Sequence, residues 1–147
     1  QPTKPDTDLK NVQYALGAYV AIVREGAIFG DNQPGNIAPR SAAGICAEGR
    51  YLFLLAIDGR RPGHSLGVTI REAGLIMESL GAHNALNLDG GGSTAFAWLN
   101  PHNGDVELLN RPSDRPRLAG LPVPGSSERW NAYHLGIVVA DTGEDVP

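Results

Sequence analysis

Cysteine, aromatic residues and long apolar runs are all scarce in this sequence of 147 residues. Cys46 is the single cysteine, which excludes an internal disulfide and any metal site built from several cysteines. Its small apolar neighbours indicate a buried strand, so we expect an inert core thiol. The longest uninterrupted apolar run covers residues 51–57, far short of the roughly 20 residues that span a bilayer. The sequence therefore predicts no membrane span.

Basic residues are too few and too dispersed for a surface that binds nucleic acid. Twelve Lys and Arg stand against 16 Asp and Glu, the net charge is -4, and no basic block occurs. We therefore expect no nucleic-acid partner. Glycine and proline are by contrast common, with 19 and 11 residues, which indicates short elements, many turns and wide loops.

Length and composition favour a single domain. Residues 1–11 are polar and proline-containing, so we expect a flexible arm, followed by the domain at 12–140 and a tail at 141–147. The sequence begins at Gln1 without a methionine or the charged-then-apolar pattern of a signal peptide. Such a beginning is expected of a mature product or a fragment.

The apolar pattern predicts two hairpins and then a strand, a helix and a strand. Thr69 and Glu72 make a capping box before a helix over residues 70–80, and Gly81 stands where a left-handed residue ends a helix. The fold class that follows is α+β: a mixed β-sheet with a βαβ unit, one well-marked helix and long loops over the carboxyl edge. The predicted strands cover residues 14–23, 28–29, 41–46, 51–57, 85–88, 94–99, 106–109 and 133–140.

An aspartate directly follows each strand of the predicted βαβ unit. Asp58 follows the strand at 51–57, and Asp89 follows the strand at 85–88. If these strands are parallel in one sheet, both carboxylates lie at the edge where such sheets bind ligands. Each aspartate also precedes a glycine, and Asp-Gly is a common tight turn. For Asp58 a turn and a functional role therefore stay equally open.

The glycine run at residues 90–92 exceeds what a turn requires. Ordering three consecutive glycines costs backbone entropy, which favours a ligand or a close backbone contact at this point and a functional role for Asp89. Three other glycine-rich motifs do not fit. The dinucleotide-binding motif opens a helix, whereas a β-like segment follows this run. Ser93 stands where a P-loop has Lys, and Ala95 stands where a nucleophile elbow has Gly.

Four blocks of the sequence together resemble the phosphodiester glycosidase domain family. They read PRSA at 39–42, DGRRPGHS at 58–65, LGA at 80–82 with NLDGGGST at 87–94, and NRPSD at 110–114. The family includes the lysosomal-pathway "uncovering enzyme", which removes N-acetylglucosamine from phosphodiester-capped mannose, and many bacterial exopolysaccharide-related proteins. The chain resembles the C-terminal part of that domain over about residues 12–140. It departs from the family at Arg115, where glycine is usual.

The resemblance implies hydrolysis of a sugar-1-phosphodiester with Asp58 and Asp89 as catalytic carboxylates. A phosphodiester leaving group is weakly basic, so charge stabilisation should matter more than proton donation. For His64, proton transfer, phosphate contact and a solvated side chain stay open, and for the loop at 110–114 turn chemistry is an alternative to substrate contact. The candidate residues for substrate and phosphate binding are Arg40, Arg60, Gly90, Gly91, Gly92, Ser93, His64, Asn110 and Asp114.

The alternative to an enzyme is a non-catalytic carbohydrate-binding or structural protein, or a processed subunit, that retains the fold. The absence of N-terminal strands that family domains usually have favours this alternative. The presence of both aspartates and both arginines favours an enzyme. An incomplete sheet would expose an edge and an apolar face, so we expect an N-terminal fragment of the same precursor or a second copy to complete it.

No cofactor is expected, although Asp89 or Asp114 could hold calcium or magnesium. The resemblance implies a secreted, periplasmic or extracellular protein.

Overall fold

The computed structural model describes residues 10, 13, 15–29, 35–115, 117–118, 121–122, 127–129, 131 and 134–138. The predicted tail and all but residue 10 of the predicted arm lie outside these residues. Within the described part of the chain, no helix is long and apolar enough to cross a membrane.

A five-stranded antiparallel sheet in the order β2-β1-β5-β3-β4 forms the centre of the fold. Both predicted hairpins are confirmed, because β1 pairs with β2 and β3 pairs with β4. The first strand begins at Val20, later than the sequence predicted. Cys46 is buried as expected, at 8% exposure. The strands are β1 (Val20–Arg24), β2 (Ala27–Ile28), β3 (Arg40–Ile45), β4 (Leu52–Ile57) and β5 (Asn84–Asn87).

The predicted helix α1 (Ile70–Ser79) is present and lies on one face of this sheet. Its capping box is complete: Thr69 Oγ1 accepts the N–H of Glu72 at 3.2 Å, and Glu72 Oε2 accepts the N–H of Thr69 at 2.7 Å. Met77, 0% exposed, packs in the core between the helix and the sheet. Burial of this apolar face stabilises the helix in its position.

The α+β class is confirmed, and the helix connects two strands that run in the same direction. β4 and β5 are each antiparallel to β3, which lies between them, so β4 and β5 are parallel to each other. Their carboxyl ends therefore meet at the edge where β3 begins. Asp58, Arg40 and Asp89 stand at this edge. Two strand spacings, about 10 Å, separate the backbones of the two aspartates.

The chain beyond β5 is less regular than the sequence predicted. A 3-10 turn (Gly91–Ser93) holds Thr94, whose N–H donates to Gly91 O, and β6 therefore begins only at Ala97. The predicted strand at 133–140 is wrong for residues 134–138, which are exposed and pair with no described strand. An apolar run forms a strand only where a partner edge receives it. The remaining strands are β6 (Ala97–Leu99), β7 (Val106–Leu108), β8 (Arg117–Leu118) and β9 (Leu121–Pro122).

The sheet face opposite α1 is apolar and incompletely covered. Leu52 is 53% exposed, and Leu54 and Leu86 are half-buried. An open trough of about 1040 Å³ is lined by this face and by the β6–β7 hairpin, including Trp98. Trp98 is 46% exposed.

Candidate functional site

The loop over residues 58–67 leaves β4 and folds tightly back on itself. Ser65 Oγ donates to the backbone oxygen of Asp58 at 2.6 Å, and the N–H of Arg61 donates to Ser65 O at 2.9 Å. Gly59 is required for close packing, because a Cβ there would lie 2.6 Å from the nitrogen of Pro39. The loop is thus fixed against the segment that enters β3.

Asp58 is held by three hydrogen-bond donors from two loops. Its Oδ1 accepts from Asn110 Nδ2 at 3.0 Å and from the N–H of Arg111 at 2.9 Å, and its Oδ2 lies 2.6 Å from His64 Nε2. Burial alone would raise the pKa of Asp58, but the hydrogen bonds from His64, Arg111 and Asn110 outweigh it and lower the pKa. The carboxylate is therefore ionised near neutral pH with both oxygens occupied.

Asn110 joins this aspartate to the glycine turn. Its Nδ2 also donates to Thr94 O at 3.1 Å, and its Oδ1 accepts the N–H of Phe96 at 2.7 Å. In this structure Asn110 connects two loops, and the substrate contact that the sequence left open for it stays a prediction.

Arg40 and Arg60 bring two positive charges to the sheet edge. Arg40 is 8% exposed, and its guanidinium donates to the backbone oxygens of Val68 (3.2 Å) and Asn36 (2.5 Å). Burial is the largest cause that lowers the pKa of Arg40, and the charge of Arg60 lowers it further, against an opposing contribution from Tyr19. The two guanidinium groups are thus close enough to repel each other.

Arg60 adopts a left-handed backbone, with φ at 55°, and its guanidinium contacts the glycine turn. A Cβ added to Gly91 would lie 3.0 Å from Arg60 Nη1, so glycine leaves room for this side chain. Within the described residues neither arginine forms an ion pair with a carboxylate. Two neighbouring cations that have no carboxylate as an ion-pair partner make the edge suitable for an anion such as phosphate.

Three N–H groups of the glycine turn donate hydrogen bonds to oxygens of the protein itself. The N–H of Gly90 donates to Asp89 Oδ1 (2.9 Å), that of Gly91 to Pro39 O (2.9 Å) and that of Ser93 to Gly90 O (3.2 Å). In this conformation these three N–H groups are occupied by protein oxygens, and phosphate binding by the glycine turn stays a prediction. Close packing on the segment before β3 accounts for Gly90, where a Cβ would lie 2.9 Å from Pro39 O.

Gly92 lies under an ion pair that the sequence did not indicate. Asp114 Oδ2 accepts from Arg129 Nε at 2.9 Å, and a Cβ on Gly92 would collide with the Asp114 carboxylate. Asn131 Nδ2 donates to Ser93 O at 3.1 Å on the same turn. Arg129 and Asn131 stand in an irregular segment without a spacing pattern, so no sequence signal singled them out.

Asp89 differs from Asp58 in its surroundings. It is exposed, it lines the trough, and among the described residues its carboxylate accepts a hydrogen bond only within its own turn. Its second oxygen is free to meet a substrate. In the described residues no group of three or more His, Cys, Asp or Glu side chains is placed to hold a metal ion.

Comparison with solved structures identifies several similar proteins. The chain is similar to the catalytic domain of zebrafish N-acetylglucosamine-1-phosphodiester alpha-N-acetylglucosaminidase, auto-inhibited by its pro-peptide, with 25% identity and a TM-score of 0.56 over 76% of this chain and 39% of that one. A Burkholderia pseudomallei protein matches at 38% identity over 53% of this chain and 14% of that one, with a TM-score of 0.44. A hypothetical protein from Synechocystis matches at 33% identity over 54% and 16%, also with a TM-score of 0.44.

The chain thus spans between 14% and 39% of the length of these three solved structures. No curated protein matches the sequence. The sequence profile of the phosphodiester glycosidase family matches residues 2–137, almost the whole chain. The chain belongs to the phosphodiester glycosidase family.

Proposed function

We propose that this protein hydrolyses a sugar-1-phosphodiester, with the phosphate beside Arg60 and Arg40 and the sugar carbon near Asp89. The observation that carries the proposal is the pair of guanidinium groups of Arg40 and Arg60, which have no carboxylate partner in the described residues. The same edge bears the exposed carboxylate of Asp89. Membership of the phosphodiester glycosidase family supports it.

The chemistry of the bond suits these groups. Breaking the bond between the sugar carbon and the phosphate oxygen leaves a positive charge on the sugar ring and a negative charge on the phosphate. Arg60, which is exposed, can bind phosphate oxygens through two N–H groups, and the buried Arg40 adds a fixed positive charge behind it. Asp89 can stabilise or attack the sugar carbon.

Asp58 contributes less directly than the sequence predicted. Both of its oxygens accept hydrogen bonds, and its backbone stands about 10 Å from that of Asp89. A carboxylate with this set of partners holds other groups in place rather than attacking the sugar. The proposal therefore assigns the substrate-facing carboxylate to Asp89 alone.

The test is release of free sugar from a panel of synthetic sugar-1-phosphodiesters that includes N-acetylglucosamine derivatives. Wild-type protein should release sugar and a phosphate monoester, whereas Asp89→Asn and Arg60→Gln should lose at least about 100-fold in rate. Arg50→Gln is the matched control, because Arg50 is exposed at the opposite end of the β3–β4 hairpin. Absence of turnover by the wild type on the whole panel would reject the proposal.

A non-catalytic carbohydrate-binding protein is the second candidate. The observation in its favour is the trough, which Phe96 and the partly exposed Trp98 line with aromatic surface that can stack on sugar rings. Calorimetry with the same sugars separates the two candidates: binding without release of sugar, weakened by Trp98→Ala but unchanged by Asp89→Asn, favours a binding protein. A processed subunit would bind or turn over only after its partner chain is added.

We also propose that the protein acts outside the cytoplasm, on exopolysaccharide or a similar glycan. The chain belongs to the phosphodiester glycosidase family, and its resemblance to the exopolysaccharide-related members motivates this proposal. Cell fractionation with an antibody against the chain tests it, and recovery in the cytoplasmic fraction alone would contradict it.

A further inference from the structure

We infer that His64 takes the proton in the hydrolysis proposed above and that Asp58 positions it, an inference that rests on the proposed function. The two side chains form a contact of 2.6 Å between His64 Nε2 and Asp58 Oδ2. Their side chains differ in exposure, at 39% for His64 and 15% for Asp58. The aspartate thus lies inside, and the imidazole lies between it and the solvent.

The contact fixes which ring nitrogen carries a proton. An ionised carboxylate can only accept hydrogen bonds, so Nε2 must donate to Asp58. Nδ1 of the neutral ring then carries the free lone pair, and no described residue forms a hydrogen bond with it. His64 therefore presents a proton acceptor to the solvent side of the site.

The partners of Asp58 make the arrangement rigid. Asn110 and the N–H of Arg111 occupy Oδ1, and Asn110 is itself tied to Thr94 O. In the loop, the N–H of His64 donates to Arg61 O at 3.0 Å, which turns the imidazole back towards Asp58. A structural turn alone would not require three donors on one carboxylate.

Three segments bring charged residues to this end of the sheet. Asp58 comes from the end of β4, Arg60 and Arg61 from the loop of His64 itself, and Arg111 from the segment after β7. Among these, the Asp58 carboxylate is in direct contact with the ring. The carboxylate therefore orients the imidazole through Nε2 and leaves Nδ1 on the other side of the ring.

The proton transfer balances in either course of the reaction. In one course water attacks the sugar carbon directly and forms the new C–O bond. In the other, an oxygen of Asp89 first attacks the sugar carbon and the phosphate departs with the electron pair, after which water attacks the sugar carbon of the resulting ester. As it attacks, one of its protons moves to Nδ1 of His64. The broken bond leaves its electron pair on the departing oxygen, which belongs to the phosphate or to Asp89. The imidazolium then releases the proton to solvent.

The experiment compares His64→Gln and Asp58→Asn with wild type in two measurements. The first is the steady-state rate, separated into kcat and KM, and the second is the nitrogen NMR spectrum of the imidazole, which reports which ring nitrogen carries the proton. We expect His64→Gln to lose about 100-fold or more in kcat with a small change in KM. Asp58→Asn should lower kcat and should move the proton away from Nε2, because the amide nitrogen that would face Nε2 is itself a donor. His102→Gln, in an exposed turn, is the matched control.

Each outcome bears on one of the two proposals. An active wild type whose His64→Gln variant keeps its rate overturns the role of His64 and leaves the proposed function intact. A proton that stays on Nε2 of His64 in Asp58→Asn overturns the positioning role of Asp58. A wild type that turns over no phosphodiester rejects the proposed function and, with it, the catalytic role of His64, even where NMR confirms that the pair is coupled.

Discussion

At the scale of single residues, Asp58 couples the site to the stability of the fold. Its pKa lies below the ordinary value of 3.8. Its hydrogen bonds therefore contribute stability above that value, and this contribution is lost as pH falls through the lower folded pKa. We expect wild type to unfold at a higher temperature than Asp58→Asn at pH 6, and the difference to shrink towards pH 2. Thermal unfolding followed by circular dichroism across this range checks the sign, and a difference that grows in acid would contradict it.

Gly91 provides a second prediction at this scale. Its φ is 63°, and a side chain there would meet the guanidinium of Arg60. Gly91→Val should therefore weaken phosphate binding at least about tenfold, since it combines backbone strain with displacement of Arg60. Gly104→Val is the control, because Gly104 has a similar φ of 77° but open space around it. Calorimetric titration with inorganic phosphate measures both variants, and equal affinities would exclude Arg60 and the glycine turn from the anion site.

The sequence indicated which residues form the candidate site, but it did not predict the hydrogen bonds between them. Asp58 and Asp89 could be placed at one edge because each follows a strand, and this inference needs only strand direction. Their different surroundings could not be predicted, because Asn110 and Arg111 reach Asp58 from more than 50 positions away along the chain. The Asp114–Arg129 pair was missed because no spacing pattern connects these two residues in their irregular segment.

At the scale of elements, local signals determined the most accurate predictions. The capping box of α1 and the turns of both hairpins depend on neighbouring residues, and they appear where the sequence placed them. The strand predicted at 133–140 depended on a distant partner edge, and the described residues 134–138 form none. Apolar composition indicates burial but does not identify the surface that covers it.

The capping box also carries a prediction. Thr69→Ala removes the side chain that accepts the N–H of Glu72, and it should destabilise the fold by about 1 kcal/mol. Ser79→Ala, at the other end of α1, is the control and should change stability by less than about 0.5 kcal/mol. Urea unfolding measures both. Activity of Thr69→Ala should stay near wild type, so a large loss of turnover without a loss of stability would contradict a purely structural role.

At the scale of the whole molecule, the sheet has one covered face and one open face. Helix α1 covers the first, whereas Leu52 on the second is 53% exposed and Leu54 and Leu86 are half-buried. The chain also spans 39% of the zebrafish catalytic domain that it matches. Further polypeptide that covers this face, either an N-terminal fragment of the same precursor or a second copy, stays a proposal. The sequence could indicate association but not the surface involved, because the open face follows from the pairing of distant strands.

The edge strands favour a second copy as the partner of the isolated chain. β2 has two residues, whereas β4 has six apolar residues without charge or proline, so β4 is the edge open to pairing. Antiparallel pairing of β4 with β4 of another copy would continue both open faces across a twofold axis.

Light scattering at micromolar concentration should therefore give about twice 15.5 kDa. Leu54→Lys should give the monomer with unchanged circular dichroism, because a charge on the open face opposes pairing. Glu48→Lys, in the exposed β3–β4 turn, is the control and should remain dimeric. A wild-type monomer of 15.5 kDa with full phosphodiester glycosidase activity would rule out the need for a partner.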